Sequence, residues 1–525
     1  MATRIIRGRA FGSILVVTAL LGIVSPAPVH AAKHSVKHDV VVNPKDRTKI
    51  AITVFKPAGA GAGAKVPVIL HSHGWGGSRE TEVSGDIEKF LDADFGVVSV
   101  DQRGHGESSG KAHVQDPTKE TEDIKAVIDY IAELDWVRHN QRAGRPIRND
   151  PILGAIGGSY GGGYQTMTAL DEIRDEGRTR FDAIAPEITW YDLPESLAPQ
   201  KVPRTAWDLL LYAAGASMFP QYVHEANAWG ATTGQWPDGT VYGEKVEGVP
   251  NLDKEFHQHS PIAFVEDGHR IDVPALVRQG TSDNLFNLNE GLNIFNKSLT
   301  AGARRESYFV AFNGGHALPN AVPPGSPSSA EFESGVDACS GDWTKLRIAF
   351  FRDALDDGRT GRLLPSQYNF TDLSGESCIR TQRFDTKSFK VDPLGVGRVA
   401  STTGLGAPLF LEVAKGPMTL TGVPKLAGKV TAAGLDSRAF FGLAIGSSPA
   451  DARVVQNNLM PLRQIMPVVD KKFAIELPGV AVRMPKDQNL YLTIASTSDM
   501  YFAHGSKPAG GLSLSNLKLS VTRPR

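Results

Sequence analysis

Short, almost unbroken apolar runs alternate along the first two thirds of the chain with stretches whose apolar residues recur every three or four positions. The runs at residues 66–70, 96–100, 152–156, 181–188, 275–279 and 306–311 are strand-length and apolar on both faces. Between them Ile87, Phe90 and Leu91 fall at helical spacing, as do Ile124, Val127, Ile128 and Ile131, and so do positions in 164–173. A last helical stretch covers 343–355. Strands buried on both faces and separated by helices predict a parallel sheet with helices packed on either side. Residues 40–55 ahead of it read as two strands joined at Asn43-Pro44-Lys45-Asp46, followed by a Gly/Ala loop at 57–64.

Two regions break this rhythm. Residues 193–270 are rich in Trp, Tyr, His and Pro and hold one clear helical pattern, at 205–216. An insertion between two strands of a parallel sheet sits at the sheet edge, so this stretch is expected to be a cap. From residue 361 the style changes to short strand-like segments (408–413, 425–432, 439–445, 473–477, 489–495 and 512–521) between Gly, Pro, Asp and Lys turns. That spacing predicts an all-β, jelly-roll-like sandwich. The expected organisation is an α/β domain over 32–360 with a helical cap, then a β-domain over 361–525.

Composition narrows the picture. With 525 residues the chain exceeds one ordinary core, and 41% hydrophobic with 22% charged residues fits globular domains. The 56 basic and 57 acidic side chains leave a net charge of -1, which gives no general attraction for nucleic acid. Arg4, Arg7 and Arg9 precede an apolar stretch at 11–24 that Ser25, Pro26 and Pro28 break, and Val29-His30-Ala31 follows. This is the pattern of a signal peptide cleaved after Ala31, and the run is shorter than the ~20 residues of a membrane span. Secretion is expected, with no transmembrane segment after signal removal. Cys339 and Cys378, each in a polar loop setting, are expected to pair in an exported chain; without a nearby histidine pair they make a poor zinc site.

The candidate chemistry starts at Gly157-Gly158-Ser159-Tyr160-Gly161, directly after a strand and directly before a helix. A strand turning at once into a helix strains the residue at the bend and lifts its hydroxyl out of the sheet, which makes Ser159 a candidate nucleophile. No Lys-Ser/Thr pair follows, so a phosphate loop is not supported. Serine needs a base, and the order for such a sheet is Ser, acid, His. His316, in Asn313-Gly314-Gly315-His316-Ala317 after a strand, stands in the right place; His257, His259 and His269 precede the acid, and His504 lies in the β-rich tail. Asp283 follows the strand at 275–279 and is expected to orient His316. Two backbone N–H groups are expected to face the oxyanion, those of Trp75 (in His73-Gly74-Trp75-Gly76-Gly77) and Tyr160. His73 reads as a loop brace, and Arg103 of Asp101-Gln102-Arg103-Gly104-His105-Gly106 as a loop pin.

On these residues the region from about 40 to 355 resembles α/β-hydrolases. With the β-rich tail added, the mature chain is similar to the X-prolyl dipeptidyl-peptidase and cocaine esterase family, whose Gly-x-Ser-Tyr-x-Gly pattern residues 157–162 match. The resemblance implies a Ser159–His316–Asp283 triad on an α/β-hydrolase domain with a helical insertion, a jelly-roll C-terminal domain and no cofactor or metal. It departs at the oxyanion loop, where the family often supplies a tyrosine hydroxyl and this chain has Trp75. The expected substrate is a small carboxylic ester, with an apolar part to suit the aromatic cap (Trp190, Tyr191, Trp207, Tyr212, Phe219, Tyr222, Trp229 and Trp236). A short peptide releasing an X-Pro dipeptide is the second reading, with Glu187, Asp192, Glu195 or Asp208 to hold its amine. The remaining alternative is a non-catalytic protein binding a carbohydrate or cell-wall ligand; Ser, Asp and His intact and in order favour an enzyme.

Overall fold

The structure is a computed structural model that describes residues 33–525, apart from 319–320, 330–336, 358, 392–397, 400–407 and 505–510. The signal-peptide segment lies outside the described residues. Ten strands form one sheet: β1 (Ser35–Val42), β2 (Lys49–Lys56), β3 (Val68–Ser72), β4 (Gly96–Val100), β5 (Leu153–Gly158), β6 (Ala183–Glu187), β7 (Leu276–Gly280), β8 (Tyr308–Phe312), β9 (Tyr368–Thr371) and β10 (Cys378–Thr381). Their order is β1-β2-β4-β3-β5-β6-β7-β8-β9-β10. Neighbours from β4 to β9 are parallel, and only the pairs at the two ends run antiparallel.

The apolar runs have a direct cause. Successive strand residues face opposite ways, and both faces are covered. Leu70 and Val98 pack with α2 (Glu120–Ala132) and α3 (Tyr160–Glu176). Their neighbours Ile69 and Val97 pack on the opposite side with α1 (Gly85–Asp92) and the helix Trp343–Asp357. Fully buried Phe90, Phe350 and Phe351 each contribute roughly 1.5–3 kcal/mol to that layer. This is the α/β-hydrolase arrangement.

Between β6 and β7 the insertion carries five helices: α4 (Leu193–Leu197), α5 (Thr205–Gly215), α6 (Gln221–Thr233), α7 (Leu252–Gln258) and α8 (Pro261–Glu266). Helix α5 is the richest of them in apolar residues yet leaves Leu209 and Leu210 exposed, and α6 buries only Val223 and Ala226.

The expected boundary at residue 361 falls ahead of β9 and β10, which extend the large sheet. These two four-residue strands were too short to read as such. Beyond them Phe384–Val391, Gly511–Pro524, Lys425–Ala433 and Val468–Glu476 form one antiparallel sheet. Leu409–Lys415, Asn489–Ala495, Ser437–Gly446 and Met460–Gln464 form a second. Leu426, Val430, Leu514 and Leu519 of the first share one core with Phe441, Leu443, Leu490 and Leu492 of the second. Cys339 and Cys378 are joined as a disulfide, tying the segment before the helix Trp343–Asp357 to β10. Among the described residues no helix is long and apolar enough to cross a membrane.

Candidate active site

Ser159 sits between β5 and α3 with φ 57° and ψ -120°. A non-glycine residue is held in such a conformation only where its surroundings fix it. The glycines around it allow the approach: a Cβ on Gly161 would lie 2.4 Å from the Ser72 carbonyl oxygen, and one on Gly157 2.6 Å from the same atom. Helix α3 therefore starts against the end of β3, beside the loop that carries Trp75.

That loop is braced by neutral groups. The imidazole of His73 donates from Nδ1 to the Gly74 carbonyl (2.8 Å) and accepts the Gln102 N–H at Nε2 (3.1 Å). Burial lowers the His73 pKa, which suits an imidazole whose Nε2 must stay an acceptor. Gln102 in turn donates to Ser72 Oγ, and Gln115 bridges the Gln102 side chain to the Tyr160 carbonyl. Both segments that carry the expected oxyanion donors thus belong to one hydrogen-bonded chain. The N–H groups of Trp75 and Tyr160 donate to no other described residue. The indole N–H of Trp75 is committed to the Leu211 carbonyl of α5 at 2.9 Å, so this side chain pins the loop to the cap. Arg103 is a loop pin, paired with Asp123 and Asp46 at 2.7–2.8 Å.

On the far side of the cleft the loops after β7 and β8 lie against each other. Ser282 N–H donates to Gly314 O and Asn284 N–H to His316 O, and a Cβ on Gly315 would lie 2.7 Å from the Asp283 Cβ. Asp283 is fully buried. Its Oδ1 accepts the N–H groups of Leu285 and Phe286, and its Oδ2 meets His316 Nδ1 at 2.8 Å. Asp283 therefore serves as a turn cap and as a partner of His316 at once. The edges and faces of Phe286 and Trp207 enclose the His316 ring at centroid distances of 5.4 and 5.9 Å. The structure brings Asp283 and His316 together. It gives the Ser159 hydroxyl no hydrogen bond among the described residues, as is common before substrate tightens such a site.

Ser159 opens on a cavity of about 210 Å³ walled by Trp75, Tyr160, Trp190, Tyr212, Phe219, Trp236 and Phe286. Four of the eight cap aromatics line it, while Trp207 packs on His316 instead. Of the four carboxylates expected as amine partners, Asp208 alone lines the cavity. Glu187 is paired with Arg278 and Arg347, and Asp192 caps α4. Burial pushes the Asp208 carboxyl well above the usual carboxylate range, with Arg204 opposing. Sequence reading missed Asn284, Gln102 and Gln115 as site residues and expected Trp207 only as a cap aromatic, because each acts through contacts made in space. The one compact trio of acids among the described residues, Glu122, Asp171 and Asp175, already holds the Lys125 ammonium at 2.6–3.4 Å.

The profile of the X-Pro dipeptidyl-peptidase (S15) family matches residues 46–317, more than half of the chain. The chain belongs to this family. Membership of this family makes it a serine hydrolase, an esterase or peptidase. Two solved structures share the fold over nearly the whole of this chain. An aminopeptidase from a marine sediment Thaumarchaeota archaeon superposes with a TM-score of 0.64 at 13% identity, covering 96% of this chain and 98% of that one. An α-amino acid ester hydrolase gives 0.60 at 12% identity, covering 96% and 99%. Among curated proteins, an uncharacterised 31.7 kDa protein of the traX–finO intergenic region of Escherichia coli is 32% identical over 125 residues, 24% of this chain and 39% of that protein. A putative serine esterase, Mb1866c of Mycobacterium bovis, is 22% identical over 314 residues, 53% of this chain and 47% of that protein. The chain spans less than half the length of either.

Proposed function

We propose that this chain is an exported hydrolase that transfers the acyl group of a carboxylic ester to water through Ser159, His316 and Asp283. The observation that carries the reading is the Asp283–His316 hydrogen bond of 2.8 Å, on a loop whose Leu285 and Phe286 line the same apolar cavity as the strained Ser159. Ser159 Oγ attacks the carbonyl carbon as its proton passes to His316 Nε2, and Asp283 stabilises the imidazolium. The Trp75 and Tyr160 N–H groups stabilise the oxyanion, which collapses as His316 protonates the leaving alcohol. Water, deprotonated by His316, then releases the acid. Export is supported by the N-terminal pattern of residues 4–31 and by the disulfide. Fluorophosphonate labelling and p-nitrophenyl ester turnover are both expected, and both are lost in Ser159→Ala. Labelling that survives this change sinks the reading.

A second reading, hydrolysis of an amide or ester bearing an amine, is favoured by Asp208, a carboxyl in an otherwise largely apolar cavity that forms no ion pair with any described residue. An ammonium entering beside it would draw its proton off, so binding of such a substrate releases a proton and strengthens as pH rises. Asp208→Asn is then expected to raise KM for an Ala-Pro anilide or amino-acyl ester about tenfold or more, the scale of a lost charge-assisted contact, and to leave a neutral p-nitrophenyl ester unchanged. Equal effects on both substrates would remove this reading and leave the neutral ester.

A further inference from the structure

We propose that the β-rich region takes part in the catalytic geometry: Asn458, together with Asn457, is a positioning residue for Asp283 and His316. This rests on the triad reading above.

Asn457 ends the turn Val455–Asn457 and Asn458 directly follows it; the four residues lie between strands of the second β-sheet and are wholly buried. Two successive non-glycine residues in the turn adopt left-handed backbone, Gln456 at φ 54° and Asn457 at φ 51°. Each such residue costs on the order of 1 kcal/mol or more and persists only where other contacts hold it. The contacts explain what the strained turn accomplishes. Asn458 Nδ2 donates to the main-chain carbonyl of Asp283 at 2.9 Å. Asn457 Nδ2 donates to the carbonyl of Leu318, two residues beyond His316, at 2.8 Å. Gln456 Oε1 accepts the Ala481 N–H and seats the turn on the neighbouring strand. Consecutive amides thus grip the acid loop and the base loop, one each.

A further contact repeats the pattern. Ser498 Oγ, from the same region, donates to the Ala321 carbonyl at 2.6 Å. The loops after β7 and β8 have few strand hydrogen bonds left to hold them, since both lie past the strand ends. Their register against each other sets the Asp283–His316 distance, and three side chains from residues beyond 450 fix that register. The strained turn is the cost of aiming two amides in two directions from adjacent positions.

The test uses the full chain. Asn458→Ala and Asn458→Asp are made alone and in an Asp283→Ala background, and kcat, KM and fluorophosphonate labelling rate are measured with p-nitrophenyl esters. Either change is expected to lower kcat and the labelling rate about tenfold, the size of one lost positioning hydrogen bond, with KM within about twofold. In the Asp283→Ala background neither should cost anything further, because a residue acting through Asp283 has nothing left to position. Loss of the same factor in both backgrounds, or a raised KM with kcat unchanged, overturns the proposal. If Asn458→Ala does not fold, Asn458→Asp keeps the volume and removes the donor. Full activity in His316→Ala would instead overturn the triad reading itself.

Discussion

Ser159 and its neighbouring amides are held mostly by close backbone packing and by side chains of the sheet's own loops, whereas the loops of Asp283 and His316, bonded to each other, also draw on side chains from the cap and the β-rich region. On the Ser159 side Gly157 and Gly161 let α3 start against the Ser72 carbonyl, and a chain of neutral groups, His73, Gln102 and Gln115, stitches the loop to the turn at Ser159. On the Asp283–His316 side Trp207 donates to Asn284 Oδ1 at 2.8 Å and packs on His316, while Asn457 and Asn458 hold the loop carbonyls. A close-packed device tolerates no added atom but draws little on distant parts of the chain. An assembled device tolerates small changes singly but depends on several elements being present.

The sharpest way to break the first half is Gly161→Ala. Its Cβ would meet the Ser72 and His73 carbonyl oxygens, which cannot swing aside as a side-chain tip would. A displacement near 1 Å at a reacting group costs about a hundredfold, so activity is expected to fall by at least that much, with a lower Tm. Activity within about twofold of the parent would show that the turn at Ser159 does not depend on this contact.

A milder change probes the second half. Trp207→Phe keeps a ring against His316 and removes the bond to Asn284. A buried hydrogen bond contributes about 0.5–1.5 kcal/mol net, so kcat/KM is expected to fall about threefold to tenfold. No change in steady-state kinetics would mean that the cap does not help to hold the base loop.

The smallest effect concerns how the cap is anchored. Glu290 is buried, accepts the N–H groups of Tyr191 and Asp192 where the cap begins, and is pushed by burial and by Asp192 up to about 8. A carboxyl with a raised folded-state pKa stabilises the fold below its ordinary value of 4.5 and loses that contribution as pH rises through about 8. Glu290→Gln is therefore expected to have the higher Tm at pH 9 and to lose the advantage near pH 4. Parallel thermal melts check the crossover; a constant offset would exclude Glu290 as its source.

Much of this molecule was legible from pattern. The strands of the large sheet carry side chains buried on both faces, so their positions read directly as apolar runs, and residues 96–100 form a strand at the expected bounds. The cap was read less well. Its helices α4, α7 and α8 span five to seven residues, too short to show a helical period, and begin at proline-bearing or Asx-capped turns. Strands β9 and β10 escaped for the same reason.

The sequence by itself determined the strand-turn-helix at Ser159 and the order Ser, Asp, His, because each is written in adjacent residues whose chemistry is local. Only the tertiary structure decided which of four carboxylates reaches the cavity, where the Trp75 indole N–H goes, and that Asn457 and Asn458 meet loops more than a hundred residues earlier in the chain. Those contacts depend on how separate layers dock, and docking depends on the shape of whole surfaces, which no short window of sequence encodes.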